Sequence, residues 1–369
     1  MFKPSRRTLL RLAAGAMLMP ALARAAEVGL ARIAASRGLA FGTMIEPRSA
    51  TGDGAAGQLT AENSGLVTDA QFHWAATTPS PGAETLVNAD RMLAWAEHQH
   101  LSVRGHALLW HLQTPDWWSR GDAGAPARQA LTTHVDKLVR RYAGRISCWD
   151  VVNEVVRAGD RADGLRDSPL VRLAGADYVD LAFHTAHAAD PLARLACNDY
   201  GMEVGSRTGL AKRAAFLKLI SRLKAKGVPL TTVGIQSHLD VGLPDFDETG
   251  FRAFLREVAG HGVDIVLSEL DVTDRTAPMD ITLRDQMVAD TYRRYLDVAL
   301  DEPKVSAVVC WGLSDRYSWI SDLSLPEHRR TDGAPPRPCL FDQAFQAKPA
   351  CAAVAAALAA APVRIGSPI

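Results

Sequence analysis

Trp149-Asp150-Val151-Val152-Asn153-Glu154 is a short apolar, β-branched run that ends in an acid. Val266-Leu267-Ser268-Glu269-Leu270-Asp271, far along the chain, has the same form. Such runs read as buried parallel strands, because a parallel sheet is covered on both faces. A charge at the end of a buried strand is costly unless it is paired or used. Two strand-end glutamates, Glu154 and Glu269, can face each other across a cleft when one sheet brings them together. Glycosidic bond cleavage needs such a pair: one carboxyl protonates the leaving oxygen while the other attacks carbon or activates water. The alternative, two unrelated glutamates at loop edges, is weakened by the residues around them.

Outward from these two runs, strand-like and helix-like segments alternate. Strand patterns cover Leu39–Met44, Gly65–Thr68, Ser102–Leu108, Ile146–Val152, Arg194–Asn198, Thr232–Ser237, Asp264–Leu270 and Val305–Trp311. Helical patterns lie between them at Thr85–His100, Arg128–Tyr142, Leu173–Ala189, Thr208–Lys226, Glu248–His261 and Leu283–Leu300, with a last one at Asp342–Ala360. Lys226-Gly227-Val228-Pro229 and His261-Gly262-Val263 place glycine just past a helix, as helix-to-strand junctions do. Eight alternations and no linker fit a single-domain α/β fold, a closed (β/α)8 TIM barrel. An open doubly wound sheet is the other possibility. It lacks support, because Gly38-Leu39-Ala40-Phe41-Gly42 is not a phosphate-binding glycine loop. The segments Asp274–Ile281 and Ser314–Pro338 read as long loops of the kind that shape a functional face.

The chain has 369 residues, with 47% hydrophobic and 22% charged residues and a formal net charge of zero. These are values of an ordinary soluble domain, and the neutral balance argues against a nucleic-acid partner. The N-terminus stands apart. Arg6-Arg7 precedes an apolar run from Leu12 to Ala23, and Ala23-Arg24-Ala25 supplies a small-residue cleavage site. The run is too short to span a bilayer, and the paired arginines resemble a twin-arginine export signal. Residues 1–25 are expected to be that signal, with an ordinary secretory signal as the alternative. Residues 26–369 form the mature domain, mildly acidic because the removed segment holds five basic residues and no acid. It is expected in the periplasm or outside the cell, with no membrane contact after signal removal, and as a monomer. The five cysteines show no metal-type spacing. Cys148, Cys197 and Cys310 read as small buried hydrophobes. Cys339 and Cys351 do so too, or form a bridge in an oxidising compartment.

Polar and aromatic residues crowd the C-terminal ends of the predicted strands, where barrel enzymes do their chemistry. They include His106, Trp110 and His111 after the third strand, and Asn153 and Glu154 after the fourth. Asn198 and Tyr200 follow the fifth, Gln236 and His238 the sixth, Glu269 and Asp271 the seventh, and Trp311 and Trp319 the eighth. Amides, imidazoles and carboxylates with tryptophan faces suit sugar hydroxyls and C–H surfaces. Scattered histidines at His106, His111 and His238 do not form a metal-ligand set.

Taken in order, Gly105-His106 through Trp110-His111-Leu112-Gln113, Trp149 to Glu154, Asn198-Asp199-Tyr200, Gln236-Ser237-His238, Ser268-Glu269-Leu270-Asp271 and Trp311-Gly312-Leu313-Ser314-Asp315 resemble glycoside hydrolase family 10. The match runs from about Phe41 to Pro349. Typical members are endo-β-1,4-xylanases, so the resemblance implies a retaining double displacement on a polysaccharide, xylan or a related β-glycan. It implies Glu154 as acid/base, Glu269 as nucleophile, and no metal or organic cofactor. Asn153 would bind the sugar 2-hydroxyl, His238 would align Glu269, Asp271 would orient His238, and Gln236 would tune Glu154. Asn198 belongs to the same substrate-binding set. His106, Trp110, Trp311 and Trp319 would line the glycone side, and Tyr200 would stack on the aglycone side.

One motif departs from the family. After the second strand the family has Glu-Asn-x-x-Lys-Trp, whose polar groups bind glycone sugars. Here the stretch is Asp69-Ala70-Gln71-Phe72-His73-Trp74. With Trp74 as anchor, Asp69 replaces Glu, Ala70 replaces Asn and His73 replaces Lys. Weaker activity on xylan, or preference for a decorated or different β-glycoside, is then expected. A one-residue loop shift that brings Gln71 into the amide role is the milder reading.

Overall fold

The computed structural model describes residues 29–47, 50, 52–321 and 329–365. The expected signal segment lies outside these residues, as does part of the loop after the eighth barrel strand. Ten strands are present among the described residues: β1 Ala40–Met44, β2 Leu66–Asp69, β3 Ser102–Gly105, β4 Leu109–Trp110, β5 Cys148–Asn153, β6 Arg194–Asp199, β7 Thr232–Ile235, β8 His238–Asp240, β9 Asp264–Thr273 and β10 Val305–Cys310. Eight of them, β1, β2, β3, β5, β6, β7, β9 and β10, pair in parallel in that order, and β10 returns to β1. The expected closed (β/α)8 barrel is therefore observed. The short strands β4 and β8 extend it by pairing with β5 and β9.

The strands alternate between two environments. Val67, Trp149, Leu195, Ile265 and Leu267 join the large core between barrel and helices. Leu66, Cys148, Ala196, Val266, Ala307 and Val309 pack against one another as a separate small cluster, which is the filling of the barrel's N-terminal half. Period-two alternation of strand side chains produces both sets. Above the apolar filling the interior turns polar: buried Arg104 meets Asp150 at 2.5 Å, and Ser268 Oγ donates to Asn198 Oδ1 at 2.6 Å.

Three expectations about elements change. The third strand stops at Gly105 instead of Leu108, because the chain turns so that His106 Nδ1 reaches Asp150 Oδ2 at 2.7 Å. A Cβ at Gly105 would lie 2.2 Å from the Trp149 ring, so only glycine fits there. The helical pattern Leu173–Ala189 is two helices, Pro169–Ala174 and Tyr178–Ala189, split where Gly175 adopts φ +87°. The last helix begins at Pro349, not Asp342. Proline suits the first helical position and disfavours helix in the residue before it, and Phe341 bridges Ser314 and Ala347 in that stretch instead. The five cysteines are buried and unbridged, Cys339 and Cys351 included.

The loops after β9 and β10 are tied to each other. Asp274, fully buried, is paired with Arg284 and lies 3.7 Å from Arg330. Asp315 is held by buried Lys348 at 2.9 Å. These ion pairs fix the walls on that side of the barrel mouth.

Candidate active site

Two β-bulges shape the site. The ladder between β5 and β6 shifts between Asp150 and Val152, after which Asn153 pairs with Asn198. The ladder between β9 and β10 shifts between Val308 and Cys310, opposite Ser268 and Glu269. A bulge re-aims side chains, and its effect is visible here. Two consecutive residues, Ser268 and Glu269, both reach Asn198, Ser268 through its Oγ and Glu269 through its Oε1.

An amide chain joins the two acids. Asn198 Nδ2 donates to Glu269 Oε1 at 2.6 Å and to Asn153 Oδ1 at 2.9 Å. Gln236 Nε2 donates to Asn153 Oδ1 at 3.3 Å and to Glu154 Oε1 at 3.2 Å. Asn153 thus spends its carbonyl on two neighbours, which leaves its amide N–H groups as donors for another molecule. Gly234 makes room for this chain, since a Cβ there would stand 2.0 Å from Asn198 Oδ1. On the other side, His238 Nε2 lies 3.3 Å from Glu269 Oε2 and its Nδ1 lies 2.9 Å from Asp271 Oδ1. Trp319 Nε1 donates to Asp271 Oδ2 at 2.6 Å. The kink that delivers His238 is built by Ser237 at φ +65°. Ser237 N–H donates to buried Glu203, and its hydroxyl lies 2.8 Å from Tyr295 Oη.

The two acids are driven in opposite directions. Burial raises the pKa of Glu154 above its ordinary 4.5, and the charges of Asp199 and Glu269 add to that; donors from Trp110 and Gln236 only partly offset it. Burial works on Glu269 too, but His106, the hydrogen bond and charge of His238, and Arg104 outweigh it and hold Glu269 at about 2. Burial opposes a charge on His238, yet Asp271 and Glu269 on its two nitrogens push its pKa well above 6.5. Glu154 is therefore biased toward keeping its proton and Glu269 toward losing it. A protonated acid beside a permanent carboxylate can donate a proton and attack an electrophilic carbon in one step.

The structure gathers Glu154, Glu269, Asn153, His238, Asp271, Gln236 and Asn198 into one connected network. His106 is buried with its ring 5.3 Å from that of Trp311. Trp319 lies 5.1 Å from His238, ring to ring, and Trp110 stands at the end of β4 beside His73 at 5.2 Å. Tyr200 is the exposed aromatic of the set, with Lys212 Nζ 3.5 Å above its ring. Trp74 is placed differently: it is buried, stacked on His134 at 4.7 Å and packed on Trp118, in the core rather than along the cleft.

The altered stretch after β2 is buried and incompletely bonded. Asp69 is 1% exposed; its Oδ1 accepts the Gln71 N–H at 3.1 Å and its Oδ2 has no partner. Burial pushes its pKa up to about 7 despite the backbone donors of Gln71 and Ala70. His73 is buried with Nε2 unpartnered, and burial followed by the charge of His106 takes its pKa down to about 3, so it is neutral.

Several working residues escaped the sequence reading. Arg104 and Asp150 sit inside the barrel beneath Glu269, and their pairing across strands has no local signal. Glu203 supports the His238 kink from a loop. Arg166 donates from Nε to the Glu154 carbonyl at 2.8 Å.

The family model for glycosyl hydrolase family 10 matches residues 29–357. Endo-1,4-beta-xylanase C of Phanerodontia chrysosporium is 33% identical over 306 residues, which is 82% of this chain and 70% of that protein. Exoglucanase XynX of Acetivibrio thermocellus is 33% identical over 330 residues, 85% of this chain but 28% of that protein. The chain thus spans about a quarter of the length of the first curated relatives it matches. Among solved structures, native xylanase 10B from Thermotoga maritima superposes with a TM-score of 0.80 at 28% identity, covering 90% of this chain and 98% of that one. Xylanase 10B from Thermotoga petrophila in complex with xylobiose has the same TM-score and identity, with 90% and 97% covered. A family match over most of the chain, the barrel and the two linked acids agree: the chain belongs to glycosyl hydrolase family 10.

Proposed function

We propose that this chain is a retaining endo-β-1,4-xylanase, with Glu154 as acid/base and Glu269 as nucleophile. The observation that carries this reading is the hydrogen-bonded network in which Asn198, Asn153 and Gln236 join Glu269 to Glu154 while His238 and Asp271 stand behind Glu269. With a β-glycan in the cleft, Glu269 attacks the anomeric carbon while Glu154 gives its proton to the departing glycosidic oxygen. A glycosyl ester on Glu269 results, and Glu154, now a carboxylate, takes a proton from the water that opens it. His238 balances the charge on Glu269 before attack and stays bonded to Asp271 throughout. Asn153, its carbonyl occupied, offers its N–H to the sugar hydroxyl next to the reacting carbon. Trp110, Trp311 and Trp319 supply flat walls for sugar rings, and Tyr200 supplies one on the leaving-group side.

A second reading has its own observation. Asp69 Oδ2 and His73 Nε2 are buried without partners, and Ala70 offers no side-chain amide. A glycone site so built supports a β-glycan other than plain xylan, or a decorated one. Relatives named as an exoglucanase and a celloxylanase are in keeping with such breadth. Export by a twin-arginine signal to the periplasm or beyond, and a monomeric state, complete the proposal. Reducing-sugar release from xylan by the purified protein, beside Glu269→Ala, tests it. Release that vanishes in the variant supports the xylanase. A folded wild type inert on xylan but active on a mixed-linkage or cello-oligomeric glucan moves the substrate to the second reading.

A further inference from the structure

Glu154 has a backbone φ of +56°, a region non-glycine residues seldom occupy unless neighbours hold them there. Two contacts hold this one. Its N–H donates to the Asn198 carbonyl at 2.8 Å. Its carbonyl accepts from Arg166 Nε at 2.8 Å. Arg166 is only 7% exposed, although it follows a solvent-facing loop. That loop folds back as a small hairpin, with Val156 bridged to Leu165 and the Arg166 N–H donating to the Val155 carbonyl at 2.7 Å. The guanidinium is thereby carried beside the acid.

The same guanidinium reaches a second group. Its Nη2 donates to Tyr200 Oη at 2.9 Å, and its Cζ lies 5.8 Å from the centre of the Tyr200 ring. Tyr200 is also held by Lys212, whose Nζ lies 3.5 Å from the ring centre and which is itself paired with buried Asp199 at 2.6 Å. Asp199 accepts the N–H of Val156, two residues past Glu154. A planar fork spanning two acceptors is a task for arginine that lysine cannot fully perform.

We infer that Arg166 is a positioning residue that couples Tyr200 to the placement of Glu154, so that a sugar resting on Tyr200 steadies the proton donor. This rests on the reading of Glu154 as acid/base. Arg166 touches no reacting atom. It acts by holding the main chain from which the Glu154 side chain is aimed, and an acid that wanders by a fraction of an ångström transfers its proton less often.

Leaving-group dependence isolates this role. From a 2,4-dinitrophenyl glycoside the dinitrophenolate departs without protonation, whereas the sugar oxygen leaving from xylan needs the acid. In Arg166→Lys the loss of kcat/KM, which reports formation of the glycosyl ester alone, should be about tenfold larger on xylan than on the dinitrophenyl glycoside, a fraction of what general acid catalysis supplies. Tyr200→Phe keeps the ring and removes only the oxygen that anchors Nη2, so it should show the same selectivity, smaller in size. Glu154→Ala is the control for the underlying reading and should show the largest selectivity of the three. Equal losses on both substrates in folded Arg166→Lys and Tyr200→Phe, with Glu154→Ala selective, would overturn the coupling while leaving the acid assignment intact. Absence of selectivity in Glu154→Ala would instead remove the reading on which the coupling depends. Thermal unfolding of each variant separates both outcomes from loss of fold.

Discussion

β9 and β2 each present a buried acid, Glu269 within the first and Asp69 at the end of the second, and the two acids meet opposite fates. Glu269 has both oxygens engaged, one by Asn198 and one by His238, with Arg104 beneath. It stays ionised down to about pH 2. Asp69 has one oxygen engaged by a backbone N–H and the other by nothing, and it holds its proton to about pH 7. Burial is common to both, so the partners decide. A carboxylate in a low-dielectric wall keeps its charge when cations and donors face it and surrenders it when they do not. Glu269 is thereby held ionised, as the proposed nucleophile must be. Asp69 is held neutral, with one oxygen buried and unpartnered.

The contrast can be broken at its strongest point. His238→Ala removes the cation from Glu269, and kcat should fall about a hundredfold, the scale expected for loss of one preorganised charge partner. The pKa of Glu269 rises when that cation goes, so the acid limb of the kcat/KM profile should move to higher pH. An unmoved limb would mean that His238 does not hold Glu269 ionised. Gly234→Ala comes next. Its Cβ must displace Asn198, which bonds both Asn153 and Glu269. A loss of kcat of about tenfold is expected, with destabilisation of about 1–3 kcal/mol from overpacking. Denaturant unfolding beside kinetics checks both parts.

At the other strand end, Ala70→Asn with His73→Lys would supply the amide and cation that this chain lacks. The double variant should gain about tenfold in kcat/KM on xylo-oligosaccharides, the worth of one or two hydrogen bonds. No gain would indicate that the glycone site is not limited by these positions. The smallest effect is one of stability. The folded pKa of Asp69, about 7, lies above its unfolded value of 3.8. The folded state therefore binds the extra proton between these values, and stability falls as pH rises through them. Asp69→Asn cannot lose a proton, so its unfolding temperature should decline less than that of the wild type between pH 4 and pH 7. Parallel curves would show that Asp69 ionises normally.

The same comparison explains what was legible in the sequence. Glu154 and Glu269 stand out because each terminates an apolar run, and the run, the strand and the charge are all local. The eight barrel strands follow from the same local signal. Arg104 and Asp150 look like charges inside strands until the barrel closes and pairs them, so their role depends on contacts between strands that no spacing announces. Trp74 carries the family's motif but is absorbed by His134 and Trp118, partners from other elements. The split at Gly175 and the start of the last helix at Pro349 were signalled by those residues themselves, beneath a continuous apolar periodicity. Arg166 reaches Glu154 only because a loop of eleven intervening residues folds back on itself.

The central claim is that Glu269 is the ionised nucleophile and Glu154 the proton donor. Mass spectrometry of the protein inactivated by a 2-deoxy-2-fluoro-β-xylobioside bearing a dinitrophenyl leaving group tests it most directly. The fluorine slows hydrolysis of the glycosyl-enzyme, so the sugar should remain esterified to the peptide that contains Glu269. Modification of another residue, or an active enzyme that hydrolyses xylan with inversion and forms no adduct, would contradict the account.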